Sequence, residues 1–345
     1  MDYTLGNYSF DVNQFLPERI FDKITEIRVD APEIIENQAR IRQRRSKLAP
    51  NGKLTILAAD HPGRGVTASG GDPYKMGNRH ELMGRILRVL VASEFDGFMS
   101  TPEMIEDLLI FDYLVQQGGG PSILDNKVLI GCMQRGGIHG FAGEIEDRFG
   151  AYTAESIDHF RLDGGKMLVR FVPEDERTLK TVQYCAEAIT ALNRYELPAF
   201  VEPLRMEQQN GKWVTVNTAG ELIRLVGIAS GLGDSARNLW LKLPYCEDYR
   251  RVALATSLPI ILLGGPSRED PRSTFNDFAA GMAARANVRG AMVGRNITFP
   301  GDDDPAAVAQ GLHEIVHRGA SAEDAIAVTM ASRDREMDFL TRYLS

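Results

Sequence analysis

A closed (β/α)8 barrel of the TIM type, with an N-terminal helical extension, is the fold this sequence predicts, and three observations predict it. Short apolar runs recur from Leu54 onward, most followed by a polar or glycine-rich turn and then a helical pattern, the alternation expected of parallel βα units. Eight such runs fall within about 290 residues, a span that suits eight strand-helix units better than an open doubly wound sheet. The first run is followed by Asp60-His61-Pro62-Gly63-Arg64-Gly65, not by the G-x-G-x-x-G of a dinucleotide-binding sheet.

In chain order, residues 1–50 carry helical patterns and a basic cluster, Arg40, Arg42, Arg44, Arg45 and Lys47. The cluster reads as a solvated helix face that caps the bottom of the barrel or joins a subunit interface. The expected strands are 54–59, 96–100, 127–133, 166–171, 199–204, 239–243, 260–263 and 290–293, with amphipathic helices at 81–93, 178–194, 219–228 and 275–286 among those between them. The barrel is assigned to 51–320, its last unit ending near His317, and 321–345 reads as one more helix.

The chain has 345 residues, 43% of them hydrophobic, and a formal charge of -8, which argues against a nucleic-acid surface and for a soluble enzyme of small molecules. Cys132, Cys185 and Cys246 form no C-x-x-C pair and read as reduced thiols. No basic leader opens the sequence, and no apolar stretch approaches the roughly 20 residues of a membrane span, so a cytoplasmic protein is expected. The apolar N-terminal helices point to a homo-oligomer.

Lys242 is the only charge in the run 239–245, Leu-Trp-Leu-Lys-Leu-Pro-Tyr. An ammonium in an apolar strand core costs several kcal/mol unless paired, so such a lysine tends to lose its proton and become a nucleophile. In a barrel of this type catalytic groups gather at the C-terminal ends of the strands. Charged or polar residues on otherwise apolar strands there are Asp60 after the first strand, Gln134 and Arg135 after the third, Lys166 and Arg170 on the fourth, Glu202 on the fifth and Lys242 on the sixth. Lys166 and Arg170 alternate with Leu168 and share one face, so two cations enter one interior and need Asp60 and Glu202 as partners. The seventh and eighth strands end in Gly264-Gly265-Pro266-Ser267 and Gly294-Arg295-Asn296, turns whose backbone N–H groups, with Arg295, suit a phosphate.

His313-Glu314-Ile315-Val316-His317 spells H-E-x-x-H, the zinc-protease pattern. On a helical wheel Val308, Leu312 and Ile315 define the buried side, which turns both histidines to solvent, so the match reads as chance. His61, His80, His139 and His159 show no ligand spacing.

Taken together these residues resemble the class I aldolases that include deoxyribose-phosphate, tagatose-bisphosphate and archaeal-type fructose-bisphosphate aldolases. Ala58-Ala59-Asp60-His61 looks like that group's first-strand Asp motif, the two glycine turns like its phosphate loops, and Leu241-Lys242-Leu243 like the strand that bears its Schiff-base lysine. Lys166 with Glu202-Pro203-Leu204 leans toward the tagatose-bisphosphate branch. The archaeal-type enzymes use an aromatic hydroxyl on the fifth strand, which is absent here. Asp163-Gly164-Gly165-Lys166-Met167-Leu168 and Trp240-Leu241-Lys242-Leu243-Pro244 are similar to aldolase-like proteins of bacterial inositol breakdown.

The resemblance implies cleavage of a phosphorylated keto-sugar or keto-sugar acid through a lysine Schiff base, with no metal or other cofactor. The inositol likeness implies 2-deoxy-5-keto-gluconate 6-phosphate as substrate, giving dihydroxyacetone phosphate and malonate semialdehyde. Lys242 would be the nucleophile, Glu202 the general acid/base, Asp60 the hydroxyl-positioning group and Lys166 the oxyanion stabiliser. Arg295 with Gly264, Gly265, Ser267 and Gly294 would hold the phosphate, and Arg170 a carboxylate or second phosphate. The alternatives are a fructose- or tagatose-bisphosphate or deoxyribose-phosphate aldolase, an isomerase with Glu202 as base, and a phosphosugar-binding barrel without catalysis.

Overall fold

The structure, a computed structural model, describes residues 3–134, 137–141 and 143–344. Nine strands form one sheet: β1 (Leu54–Ala58), β2 (Gly97–Ser100), β3 (Val128–Cys132), β4 (Gly164–Phe171), β5 (Ala199–Gln209), β6 (Lys212–Thr215), β7 (Leu239–Pro244), β8 (Ile260–Leu263) and β9 (Val288–Val293). Eight of them pair in parallel around a ring, β1-β2-β3-β4-β5-β7-β8-β9 and back to β1, so the ring has no open edge. The expected barrel is the observed one, and each strand falls where the apolar runs placed it.

Closure depends on small residues where strands crowd. A Cβ on Gly97 would lie 2.0 Å from the Val128 carbonyl oxygen, and one on Gly290 would lie 2.0 Å from that of Leu54. Only glycine lets β2 meet β3 and β9 meet β1 so closely.

Side-chain alternation then separates two cores. Leu54, Ile56, Met99, Val128, Ile130, Cys132, Phe200, Ile261 and Met292 fill the barrel, while Leu57, Leu129, Met167, Val169, Val201, Leu241 and Leu243 face the surrounding helices. Lys166, Leu168 and Arg170 take the inward positions of β4, and Met167, Val169 and Phe171 the outward ones, as the alternation required.

The fifth strand runs longer than its apolar stretch. β5 continues past the rim to Gln209, turns at Asn210 (φ 50) and Gly211 (φ 76), and returns antiparallel as β6. Two successive positive φ values make this a tight hairpin turn of the Asn-Gly kind. Beyond Ser321 the chain forms two helices, Ala322–Ser332 and Phe339–Tyr343, where one was expected.

The bottom of the barrel is where the sequence reading needs most correction. The segment lies at the barrel bottom as expected, but the helix Glu33–Ile41 ends before most of the basic cluster, and the cluster is only partly solvated: Arg40, Arg44 and Lys47 are exposed while Arg42 is buried and Arg45 half-buried. Arg42 is 2% exposed, donates to the carbonyls of Lys127 and Arg161 and pairs with Asp163 at 3.2 Å. Arg44 also pairs with Asp163 and Arg45 with Asp96, while Leu48 and Ala49 pack against the interior core. The segment therefore plugs the barrel, with the guanidinium groups of Arg42, Arg44 and Arg45 answering carboxylates or carbonyls at its floor.

His313 and His317 are likewise not solvent-facing. The helix Pro305–His313 widens into a π-turn over Glu314–Arg318, so the helical wheel no longer applies. His317 Nε2 lies 2.8 Å from Asp96 Oδ2, and the two rings stack at 4.2 Å. No group of three or more metal-ligating side chains occurs among the described residues. No helix among them is long and apolar enough to cross a membrane.

Candidate active site

Four strands bring one residue each to the C-terminal mouth. Asp60 follows β1, and Lys166, Glu202 and Lys242 occupy inward positions of β4, β5 and β7. The register sets their heights: Lys166 is level with Phe200, and Glu202 one inward position higher with Leu168, so Lys166 lies a layer below Glu202. All four are buried, Lys242 to 5% exposure and Lys166 to 2%. They form one chain of contacts: Asp60 Oδ2 is 3.0 Å from Lys166 Nζ, which is 2.9 Å from Glu202 Oε2, which is 2.9 Å from Lys242 Nζ.

The two lysines share a carboxylate yet diverge in proton affinity. Burial pushes the Lys242 ammonium below its ordinary value, and the charge of Lys166 adds to the effect while Glu202 and Asp60 oppose it. Burial acts on Lys166 in the same sense, but Asp60 and Glu202 together outweigh it and hold its proton more firmly than usual. Glu202 is pulled down to about 2, since Lys166 and Lys242 overcome the cost of its burial, and Asp60 is held well below the carboxylate range by Lys166 and Arg64 against the same cost. His61, beside Asp60, is pushed down to about 3 by burial, so its ring is neutral near pH 7. Of these four groups Lys166 keeps its proton most firmly, Glu202 and Asp60 favour their charged forms, and Lys242 carries the proton that is easier to remove than that of an ordinary lysine.

Both glycine turns open onto this amine. Gly264, Gly265, Gly294 and Arg295 line the same cleft, about 480 Å³, as Lys242 and Glu202. Gly265 has φ +69, which a side chain would strain. A Cβ on Gly294 would fall 2.4 Å from the Ala58 carbonyl oxygen and 2.9 Å from the His61 ring. Asn296 ties the turns together, its amide donating to the carbonyls of Gly264 (2.7 Å) and Pro266 (3.0 Å).

Three expected residues play other parts. Arg170 is locked: its guanidinium donates to both oxygens of Asp147 and to the carbonyls of Gly137 and Glu144, so it pins the loop after β3 and is spent as an anion holder. Ser267 turns away from the cleft and donates its hydroxyl to the Phe299 carbonyl at 2.6 Å. Gln134 is a buried strut that donates to the Leu168 carbonyl. Arg135 lies outside the described residues.

Other lining residues were not picked out from the sequence. Arg64 sits in the hexapeptide after β1, from which the sequence singles out Asp60 but gives no signal for the arginine. Trp213, Val214, Thr215 and Asn217 come from the β5–β6 hairpin and the residues after it. The Asn210-Gly211 pair was the available signal for that hairpin.

A family model, Cgl0159-like, matches residues 52–312. The chain belongs to this family. The solved structure of Cgl0159 from Corynebacterium glutamicum is 34% identical, covers 88% of this chain and 98% of its own, and superposes with a TM-score of 0.80. This Cgl0159-like barrel also superposes on an archaeal fructose 1,6-bisphosphate aldolase at TM-score 0.59, with 20% identity over 83% of this chain and all of that one. The fructose-bisphosphate aldolase from Slackia heliotrinireducens gives 0.61, with 14% identity over 89% of this chain and 93% of its own. At those identities the aldolase likenesses speak for the fold. No curated protein matched the sequence.

Proposed function

We propose that this Cgl0159-like protein is a class I aldolase, a carbon-carbon lyase that forms a Schiff base on Lys242 with a phosphorylated keto-sugar or keto-sugar acid. One observation carries the reading: the buried Lys242 amine, depressed in proton affinity and 2.9 Å from Glu202, shares a cleft with two glycine turns and an arginine suited to phosphate. A lysine near its ordinary value of about 10.4 keeps fewer than about one amine in a thousand neutral at pH 7, so the depression is what makes attack feasible.

In this scheme Lys242 Nζ adds to the ketone carbon, and the carbonyl oxygen takes protons and leaves as water. The resulting iminium draws electrons from the carbon-carbon bond as a base removes the proton of the β-hydroxyl. An aldehyde departs and an enamine remains. Protonation of the enamine carbon and hydrolysis return the ketone product and the free amine. Glu202, within reach of both lysines, moves the protons; Lys166 keeps its charge and faces developing negative oxygen; Asp60 orients a hydroxyl. Arg295 and the backbone at Gly265 and Gly294 hold the phosphate. The 2-deoxy-5-keto-gluconate 6-phosphate suggested by the sequence likeness is the first substrate to assay, with fructose and tagatose bisphosphates and deoxyribose phosphate beside it.

Borohydride reduction in the presence of dihydroxyacetone phosphate tests the reading. Mass spectrometry is expected to find one adduct, on Lys242. Unmodified lysine with intact phosphate binding would instead favour a barrel that binds phosphosugars without catalysis.

A further inference from the structure

Two guanidinium groups in the cleft feel the charges of Asp60 and Glu202 but make no hydrogen bond or ion pair with any described residue. Arg64 and Arg295 both line it, each keeps a buried Nε without an acceptor, and neither side chain has a partner among the described residues. The lysines and carboxylates beside them are in contact with one another, Lys166 with Asp60 and Glu202, and Lys242 with Glu202. Unpaired cations facing a cavity are costly to keep, and the cost is recovered when an anion of matching charge enters.

We propose that Arg64 and Arg295 close on one phosphate group, and that the cleft therefore takes a substrate with a single phosphate rather than two. The inference rests on the sugar-phosphate reading above. Two guanidinium charges match one phosphate monoester dianion, and the other lysine or arginine that lines the cleft, Lys242, is engaged by Glu202, so nothing remains for another. The opposite wall is Leu204, Trp213, Val214, Thr215 and Asn217, none of them charged. Arg170, the cation on β4 that a second phosphate would need, is consumed by Asp147. Thr215 and Asn217 suit the hydroxyl and carbonyl oxygens at the other end of the substrate. The two arginines feel one another: burial, then the charge of Arg64, lowers the proton affinity of Arg295.

The test uses ligands without a carbonyl, so its outcome is independent of imine formation. Inorganic phosphate, mannitol 1-phosphate and mannitol 1,6-bisphosphate are titrated into the full chain by calorimetry, alongside the Arg64→Gln, Arg64→Lys and Arg295→Gln variants. Either glutamine variant should weaken phosphate binding by about 10- to 100-fold, the worth of one charge-assisted contact, and Arg64→Lys should regain part of it. The second phosphate of the bisphosphate should bring no gain in affinity. Wild-type phosphate affinity in an Arg64→Gln protein with unchanged melting temperature would overturn the proposal, as would tenfold tighter binding of the bisphosphate. Failure of borohydride trapping alone would sink the aldolase reading and leave these titrations untouched.

Discussion

The two ends of this barrel are equally rich in buried ionisable groups, and they use them in opposite ways. At the bottom, burial pushes the Asp96 carboxyl up, but His317, Arg45 and the Thr55 amide outweigh it and hold it far below its ordinary value. Asp163 takes both Arg42 and Arg44. At the top, the perturbation of Lys242 and Glu202 is of the same kind, yet Arg64 and Arg295 stay unpaired above them and a cleft stands open. A shifted proton affinity is therefore common to a structural plug and a candidate reactive site. What separates the ends is charge without a partner facing a cavity that can admit a ligand.

The largest effect that would sharpen this contrast is at the top. Lys242→Met should cost at least about 10³-fold in turnover of any cleaved substrate and abolish borohydride trapping, with the melting temperature little changed. Substantial turnover in that variant would point to an isomerase that uses Glu202 without an imine. At the bottom the expected outcome is reversed. Arg42→Met strands Asp163 with the half-exposed Arg44 and should cost about 3 kcal/mol of unfolding free energy by urea denaturation, the scale of breaking a buried pair. Its kcat/KM at a permissive temperature should stay within twofold of wild type. A tenfold loss there would erase the division between the ends.

How much of this was legible follows from what each feature requires. The barrel and the inward set Lys166, Glu202 and Lys242 could be read because strand periodicity is local, and a charge in an apolar run stands out against it. Arg170 carried the same signal as Lys166. Its fate was decided by Asp147, 23 residues earlier in a loop with no periodicity, so the pattern could not tell an anion holder from a loop pin. Arg64 gave no strand signal, since it follows a short turn after β1 and reaches the site only through the fold. For the basic cluster at 40–47, composition cannot tell the guanidinium buried against carbonyls and a carboxylate of the barrel floor, Arg42, from those left in solvent, such as Arg40.

A smaller effect probes the divergence of the two lysines. Because Lys242 is depressed, its neutral fraction grows as pH rises through a value below the ordinary 10.5, and kcat/KM should climb with it. Glu202 and Asp60 are held low and stay ionised across that range, so the climb should follow one proton. Lys166→Met removes a positive charge that helps deprotonate Lys242 and leaves Glu202 and Asp60 less compensated, both of which raise the lysine's affinity for its proton. The limb should move to higher pH by about one unit or more. A limb that stays in place or moves down would mean that Lys166 does not set the state of Lys242.

The smallest expected effect concerns the H-E-x-x-H sequence, and it bears on the comparison because these residues belong to the bottom. A zinc site would need both imidazoles converging on open space with Glu314 beside the metal-bound water. Here His317 donates from Nε2 to Asp96 and accepts the Asn51 amide at Nδ1, His313 lies against Glu94, and Glu314 meets Arg318 and Gln310. His317 ties the last barrel helix to the floor, while Glu314 is engaged within that helix. Glu314→Gln should therefore change turnover less than twofold and stability by under about 1 kcal/mol, and dialysis against EDTA should leave wild-type rates unaltered. Loss of activity on chelation, restored by zinc and absent from the Glu314→Gln variant, would move the chemistry to the other end of the barrel.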